Sequence, residues 1–207
     1  MSDTAIIFDC EFLTAPGAPQ RFWCGPDDPD PVAVQVGAVK LSLTSDAETL
    51  ATFDQIILPA AREERAPLIH PFFTKLTGID EDRVVSDGAE LEEVLASFDR
   101  FSDGAPFWSW GKDEFNLLAI SCYVAGIVPP IPANRFGNAT RLFVAAGFDL
   151  DTIHGLRSPG LPEFLGIDAA GLRAHDALGD AQAVAVSLQH LIRTERLDPK
   201  LLRQPRP

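Results

Sequence analysis

The feature that most constrains the fold of this chain is an apolar strand near the N-terminus that carries two acids. Residues 5–12 predict a core strand because residues 6–8 form a continuous apolar run, which Asp9 and Glu11 then interrupt. Residues two apart on a strand leave the same face, about 6.6 Å apart along it. Two adjacent carboxylates repel each other and lose hydration unless a cation lies between them. The pair therefore marks either the solvated end of a strand or a site that holds a cation.

The order of the remaining elements predicts a mixed α/β sheet. Apolar stretches at 32–43 and 49–58 predict two strands that form an antiparallel meander with the first. A short aromatic strand at 106–110 follows, and strands then alternate with helices, which is typical of a mixed sheet. The predicted helices cover residues 71–77, 89–101, 114–125, 140–146, 161–165 and 176–195.

The size and composition of the chain suit a single domain. Its 207 residues are 46% hydrophobic, enough for a sizeable core. We place this domain at 1–195, with a long loop at 13–31 rich in Pro, Gly and Asp and a C-terminal tail at 196–207 that we expect to be frayed. No apolar run reaches the roughly 20 residues that span a bilayer, and we find no secretory signal pattern. We therefore expect a cytoplasmic protein without membrane contact.

Two further groups of acids have unusual positions. Asp180 shares the apolar stripe of the last predicted helix with residues 184–191, and His175 lies just before that helix. Asp113 and Glu114 follow a glycine turn at the end of the aromatic strand. Together with the first strand, three elements would bring acids to one end of the sheet, beside a histidine. Oxygen ligands of this kind suit Mg²⁺ or Mn²⁺ better than zinc.

Four stretches of the sequence carry a family resemblance. Asp9-Cys10-Glu11 is an Asp-x-Glu motif on the first strand, and residues 175–180 are a His-x4-Asp motif at the start of the last helix. Residues 74–79 (Thr-Lys-Leu-Thr-Gly-Ile) and 34–38 (Val-Gln-Val-Gly-Ala) lie between them. In this order they resemble the DEDDh family of 3′→5′ exonucleases over about residues 5–192. The resemblance implies a ribonuclease H-like fold, a mixed five-stranded sheet flanked by helices.

The second motif departs from the family pattern. Ser109-Trp110-Gly111 resembles the branch with exonucleases that trim histone mRNA and small RNAs, in which an aspartate lies three residues after the glycine. Here that position holds Glu114, and Asp113 comes one residue earlier. Either a glutamate is the ligand, or the turn is shortened and Asp113 is the ligand. We slightly favour Asp113, because the shorter side chain matches the ligand of the family, and keep both.

The resemblance implies an activity and a set of residue roles. The chain would remove nucleotides from the 3′ end of single-stranded RNA or DNA as nucleoside 5′-monophosphates, with two Mg²⁺ or Mn²⁺ ions. Asp9 would bridge both ions, Glu11 and Asp180 would hold the ion that activates water, and Asp113 or Glu114 would help to position the other. His175 would be the general base.

The terminal nucleotide also needs a pocket. Phe12 and Leu13 follow the first motif, and Phe73 and Leu76 lie in or next to the Thr-Lys-Leu-Thr-Gly-Ile stretch, so these four are the candidates for stacking on a base. Core packing is the alternative role for each. By its branch, the resemblance weakly favours RNA over DNA, and a homodimer is possible.

Two other functions fit the same motifs. One is a catalytically weak exonuclease-like module that binds RNA 3′ ends or a protein partner. The other is a proofreading subunit that acts beside a polymerase, which shares the chemistry and differs in its partner.

The net charge of −13 conflicts with these expectations, because proteins that bind long nucleic acids normally present a basic surface. A short oligonucleotide substrate, a basic patch hidden in the average, or a recruiting partner would each resolve the conflict. Arg135, Arg141, Arg157 and Arg173 all precede the third motif. They could line such a patch, although a scattered solvated face is the simpler interpretation.

Overall fold

The apolar strand at the N-terminus, β1 (Thr4–Phe12), lies inside a mixed sheet of six strands in the order β4-β3-β2-β1-β5-β6. The structure is a computed structural model and describes residues 3–62 and 69–205. Strands β1 to β3 form an antiparallel meander, β5 and β6 run parallel to β1, and β4 runs parallel to β3. The other strands are β2 (Ala33–Ser42), β3 (Thr49–Ile57), β4 (Gly88–Ala89), β5 (Phe107–Ser109) and β6 (Phe136–Asn138).

Helices cover both faces of the sheet. Ile7 contributes to one core cluster with residues of the last helix, while Phe8 contributes to another with Phe98 and Phe107 on the opposite face. Because side chains alternate along a strand, Asp9 and Glu11 leave β1 on the same face as Ile7. The helices are α1 (Pro71–Thr77), α2 (Glu81–Asp87), α3 (Leu91–Ser102), α4 (Asp113–Ala125), α5 (Thr140–Ala145), α6 (Leu150–His154), α7 (Leu161–Phe164) and α8 (Ala177–Arg193).

The predicted fold class is confirmed, and the main differences are in short elements. The sheet has six strands rather than five, because β4 and β6 have only two and three residues and show no alternation that a sequence pattern could reveal. Helices α2 and α6 were not predicted for the same reason, since they have seven and five residues. The long loop at 13–31 contains one short 3₁₀ helix, Pro19–Arg21.

The C-terminal tail is better ordered than we expected from its sequence. Residues Pro199–Arg203 form a 3₁₀ helix, and Leu202 is fully buried. The indole Nε1 of Trp108 donates a hydrogen bond to the Leu202 carbonyl at 3.0 Å, which ties the tail to β5. The expectation of a frayed tail was therefore wrong up to residue 205, because burial of one leucine and one buried hydrogen bond anchor it.

Within the described residues, no helix is long and apolar enough to cross a membrane.

Candidate active site

Three acids from two elements meet at the carboxyl-terminal end of β1. Asp9 and Glu11 come from β1, and Asp180 comes from the first turn of α8. One carboxylate oxygen from each lies within 4.8 Å of the other two, and all three residues are buried. The structure thus brings together the acids of the first and third motifs, which lie about 170 positions apart in sequence.

A glycine in β2 allows α8 to approach this closely. Gly37 is the antiparallel partner of Asp9, and a Cβ atom built on it would lie 2.1 Å from the Leu178 nitrogen. No side chain fits in that space, so the first turn of α8 rests directly on the β2 backbone. The Val-Gln-Val-Gly-Ala stretch therefore places Asp180 opposite Asp9.

Gln35, which has no exposed surface, fixes the start of α8. Its Oε1 accepts a hydrogen bond from the Ala177 nitrogen at 3.1 Å, and its Nε2 donates to Asp176 Oδ1 at 3.2 Å and to Asp54 Oδ1 at 2.8 Å. Asp176 in turn caps α8 by accepting from the Gly179 nitrogen at 3.1 Å. We did not predict a role for Gln35, although an amide within the apolar β2 sequence was a signal that could have revealed it.

The second motif contributes Glu114 to this site. Glu114 interacts electrostatically with Asp9, Glu11 and Asp180, and its Oε2 is buried without a hydrogen-bond partner in the described part of the chain. Asp113, by contrast, is exposed. The geometry therefore favours Glu114, the opposite of our slight preference for Asp113. The Glu114 carboxylate lies near the three acids, outside the group whose oxygens lie within 4.8 Å of one another.

The pKa values of these acids are raised because the carboxyls are buried together. Burial, followed by Glu114, Glu11 and Asp180, raises the pKa of Asp9 well above its usual range. Burial and the neighbouring Asp180 raise the pKa of Glu11 to about 8. The pKa values of Asp180 and Glu114 rise to about 7, mainly through burial. Without a cation, the cluster therefore retains protons at neutral pH.

The donor set fits hard divalent cations. All four side chains offer carboxylate oxygens, the ligands that Mg²⁺ and Mn²⁺ prefer. Asp180 Oδ1 and Glu114 Oε2 are buried and have no hydrogen-bond partner within residues 3–62 and 69–205. Buried oxygens of this kind are costly unless something positive contacts them. A metal would satisfy both and relieve the repulsion in the cluster.

His175 lies at the rim of the acid cluster. Its backbone nitrogen donates to Asp180 Oδ2 at 3.3 Å, and its side chain is exposed. Its φ of 57° is left-handed, a conformation that non-glycine residues seldom adopt and that is concentrated at functional sites. The turn thus anchors the backbone of His175 to the cluster and leaves the ring open to solvent.

Only two of the four predicted base-stacking residues have accessible surface. Leu13 and Phe73 are buried in one core cluster, with 1% and 0% exposure, so the structure gives them no surface for a base. For these two, core packing replaces the predicted substrate contact. Phe12 and Leu76 are half-buried and stay available.

Arg173 is a further residue that sequence reasoning did not assign to the site. Its guanidinium donates to the Thr77 carbonyl at 2.7 Å and lies where a Gly78 side chain would be, since a Cβ there would be 2.1 Å from Nη2. Its charge also opposes the rise in the pKa of Glu11. Arg173 therefore links the Thr-Lys-Leu-Thr-Gly-Ile stretch to the loop that carries His175.

Three solved structures of nucleases share this architecture. The nuclease domain of 3′hExo, a DEDDh family member bound to rAMP, superposes with a TM-score of 0.73 at 20% identity over 93% of this chain and 92% of that one. Cell-death related nuclease 4 gives 0.69 at 17% identity, over 93% and 64%. E. coli exonuclease I in complex with a dA16 oligonucleotide gives 0.61 at 16%, over 97% and 42%. The chain therefore has the ribonuclease H-like fold of these exonucleases, as predicted.

Sequence comparison gives a shorter match. The PolC-type DNA polymerase III of Caldanaerobacter subterraneus subsp. tengcongensis is 39% identical over 72 residues, which are 35% of this chain and 4% of the polymerase. No protein-family model matches the chain.

Proposed function

We propose that this protein is a metal-dependent 3′→5′ exonuclease that hydrolyses single-stranded nucleic acid to nucleoside 5′-monophosphates. The observation that carries the proposal is the buried cluster of Asp9, Glu11 and Asp180, with carboxylate oxygens within 4.8 Å of one another on a nuclease fold. A cluster of acids with raised pKa values in an enzyme fold is a physical sign of a catalytic site.

Four acids would hold the metal ions. Asp9, Glu11 and Asp180 form the inner group, and Glu114 adds a fourth carboxylate from α4. Two Mg²⁺ or Mn²⁺ ions bound there would supply Lewis-acid stabilisation of the attacking and leaving oxygens of the terminal phosphodiester. The protein contributes a fixed set of acids that the contact between α8 and Gly37 holds in place.

His175 would act as the general base. Its backbone nitrogen donates to Asp180 Oδ2 and its side chain is exposed, which supports a role for the imidazole at a water beside the cluster. It would accept the proton of that water as the phosphodiester bond is cleaved, and the 3′-oxygen of the penultimate nucleotide would leave.

Leu76 would form part of the wall against the terminal base, and Phe12 stays a prediction because it packs against the core cluster of Phe8 on the other face of the sheet. Phe12 directly follows Glu11, and Leu76 lies in the α1 helix that Arg173 links to the His175 loop. RNA is the first substrate to test, because structures with TM-scores of 0.73 and 0.74 are described with rAMP and with a histone mRNA stem-loop. How this pocket treats the 2′-hydroxyl would decide between RNA and DNA.

A catalytically weak module that binds 3′ ends is the second candidate. It is favoured by the glutamate at the second motif, where the family branch has aspartate. The buried Oε2 of Glu114, near the other acids, opposes it. A cytoplasmic location stays a prediction, and three cysteines without disulfide bonds suit it. A homodimer also stays a prediction.

A degradation assay tests the proposal. We would incubate 5′-labelled single-stranded RNA and the matched DNA with the protein in Mg²⁺, Mn²⁺ or EDTA, beside Asp180→Asn as the inactive control. The proposal expects a ladder that shortens from the 3′ end, requires metal and is absent for Asp180→Asn. Bound but intact RNA under every metal condition would support the weak module instead.

A further inference from the structure

The long loop at 13–31 joins β1 to β2 at the end of the sheet that carries the acid cluster. Both of its ends are fixed there, since Glu11 of β1 pairs with Gln35 of β2 and the Leu13 nitrogen donates to the Val32 carbonyl at 3.0 Å. Loops longer than about 12–15 residues inside a compact domain usually have a function. A ligand bound at the acid cluster therefore lies close to both ends of this loop.

The loop exposes the ring of Phe22 to solvent. The side chain is 83% exposed, the highest value among the aromatic residues in the described part of the chain. A single exposed apolar side chain is ordinary, but Phe22 and Trp23 also have φ angles of 55° and 52°, in the left-handed region. Non-glycine residues seldom adopt this conformation, and it is concentrated at active sites and ligand clamps. The loop therefore holds an apolar ring in water at a cost in backbone strain.

Hydrogen bonds of the neighbouring tryptophan fix this conformation. The indole Nε1 of Trp23 donates to the Leu13 carbonyl at 2.9 Å, and its backbone nitrogen donates to the Ala18 carbonyl at 2.8 Å. Ala18 has no exposed surface, so this part of the loop is packed onto the body of the protein. Trp23 thus attaches the loop beside the end of β1, and Phe22 next to it presents an exposed ring to a ligand.

The same hydrogen bond limits how far Phe22 can lie from the acids. Leu13 is two residues after Glu11, so their Cα atoms are at most about 7 Å apart. The path from Leu13 through the hydrogen bond and the Trp23 indole to the Phe22 Cα adds about 14 Å. The Cα atoms of Glu11 and Phe22 are therefore no more than about 21 Å apart, a distance that about six nucleotides cover at about 3.4 Å each. Phe22 is thus within reach of a short single strand whose 3′ end is at the acids.

The charges around the loop favour contact with a base over contact with a phosphate. Arg21 donates to Asp28 from Nε at 2.8 Å and from Nη2, and Arg62 donates to Asp30 at 2.7 Å. These two arginines already have acidic partners, and Asp27 adds an exposed negative charge. An aromatic face, by contrast, accepts any base without a charge. Stacking is therefore a way for a chain of net charge −13 to hold a polyanion.

We propose that Phe22 stacks on a base of single-stranded nucleic acid, upstream of the terminal nucleotide and within about six nucleotides of the 3′ end. The inference rests on the proposed function and adds a substrate-binding residue to it. Phe22 would hold the strand while the acid cluster acts on the terminal phosphodiester, apart from Leu76 at the terminal base. Because every base has a π face, this contact would not depend on sequence.

Binding of a labelled 12-nucleotide RNA and its abasic counterpart tests this inference. The abasic RNA lacks the bases at positions 2–8 from the 3′ end and keeps every phosphate. Fluorescence anisotropy would report Kd for Phe22→Ala, Phe22→Trp and their parent, all with Asp180→Asn so that the RNA stays intact. The matched control is Tyr123→Ala, which removes another exposed aromatic ring, 75% exposed and nine residues along α4 from Glu114.

Loss of a stacking contact has a specific signature. Phe22→Ala should raise Kd for the intact RNA by roughly 5- to 150-fold, the range for one stacked base. The factor should be the same in 50 and 200 mM KCl, because Phe22 carries no charge. The abasic RNA should bind to Phe22→Ala and to the parent alike. Phe22→Trp should keep the Kd of the parent, and its added indole fluorescence should be quenched by the intact RNA only. Tyr123→Ala should match the parent throughout.

Four outcomes would overturn the proposal. Phe22→Ala could bind the intact RNA as tightly as the parent, which would leave the ring for contact with a protein. It could weaken the intact and the abasic RNA equally, which would exclude stacking as the cause. Phe22→Trp could fail to restore Kd or show no quenching, or the parent could bind neither RNA. Because the readout is binding, failure of the exonuclease proposal would show in the degradation assay and leave this result separate.

Discussion

Replacement of Glu11 by Gln should stabilise the metal-free protein at neutral pH. The folded protein raises the pKa of Glu11 from 4.5 to about 8, mainly by burial and by Asp180. An acid with a raised pKa binds more protons in the folded than in the unfolded state, so the free energy of unfolding falls as pH rises from about 4.5 to about 8. Below that window the group contributes no penalty.

The size of this effect follows from the pKa values. Each tenfold change in proton affinity corresponds to about 1.4 kcal/mol, so ionised Glu11 costs about 5 kcal/mol above pH 8 and about 3 kcal/mol at pH 7. An amide keeps the shape of the side chain and removes the charge, although it remains buried. We therefore expect Glu11→Gln to raise the free energy of unfolding in EDTA by about 2–3 kcal/mol at pH 7 and by little at pH 4.5.

Urea denaturation from pH 4.5 to 8 in EDTA measures this difference. Glu48→Gln is the matched control, because Glu48 is exposed between β2 and β3. Added Mg²⁺ should reverse the order, since it stabilises the wild type through the intact site and the variant much less. The reasoning is refuted if Glu11→Gln is less stable than the wild type at pH 7 in EDTA, or if the two proteins show the same pH dependence.

Three further substitutions test the geometry of the site. Glu114→Gln should lower kcat by about 100-fold or more through loss of a carboxylate in the cluster, whereas Asp113→Asn should stay within about 3-fold in the same labelled-RNA assay. Gly37→Ala should displace α8 and abolish most activity with a lower melting temperature, while Gly160→Ala, which has open space around it, should change neither. Gln35→Ala should destabilise the protein by about 2–4 kcal/mol in urea denaturation, because the polar groups that it contacts at the start of α8 lose their partner. Equal kinetics for the Glu114 and Asp113 variants, or a silent Gly37→Ala, would contradict the geometry described above.

Much of the fold could be predicted because its long elements have strong patterns. The apolar run near the N-terminus predicted β1, and the apolar stripe of the last helix predicted α8, both at nearly the observed bounds. Elements of two to seven residues, such as β4, β6 and α2, depend on contacts with residues that are near in space. They are too short to show a hydrophobic periodicity in the sequence. The same holds for the tail, which the Trp108 indole and the buried Leu202 anchor.

The residues of the candidate site could be predicted from the sequence where they belong to a recognised motif. Asp9, Glu11 and Asp180 could be grouped from spacing and resemblance, and the structure brings them together. The choice between Asp113 and Glu114 depends on the reach of a side chain from the start of α4, which spacing does not encode. The bridge from Arg173 to Thr77 and the hydrogen bonds of Gln35 join segments roughly 100 to 140 positions apart, which only the folded chain reveals.

The most direct test of the account is to locate the metal. Crystals grown with Mn²⁺ and a nucleoside 5′-monophosphate would be measured at the manganese absorption edge. The account predicts anomalous peaks in contact with the carboxylates of Asp9, Glu11 and Asp180, with Glu114 closer to them than Asp113. Full manganese occupancy elsewhere, with no peak among these carboxylates, would contradict the claim that this cluster is the metal centre of an exonuclease.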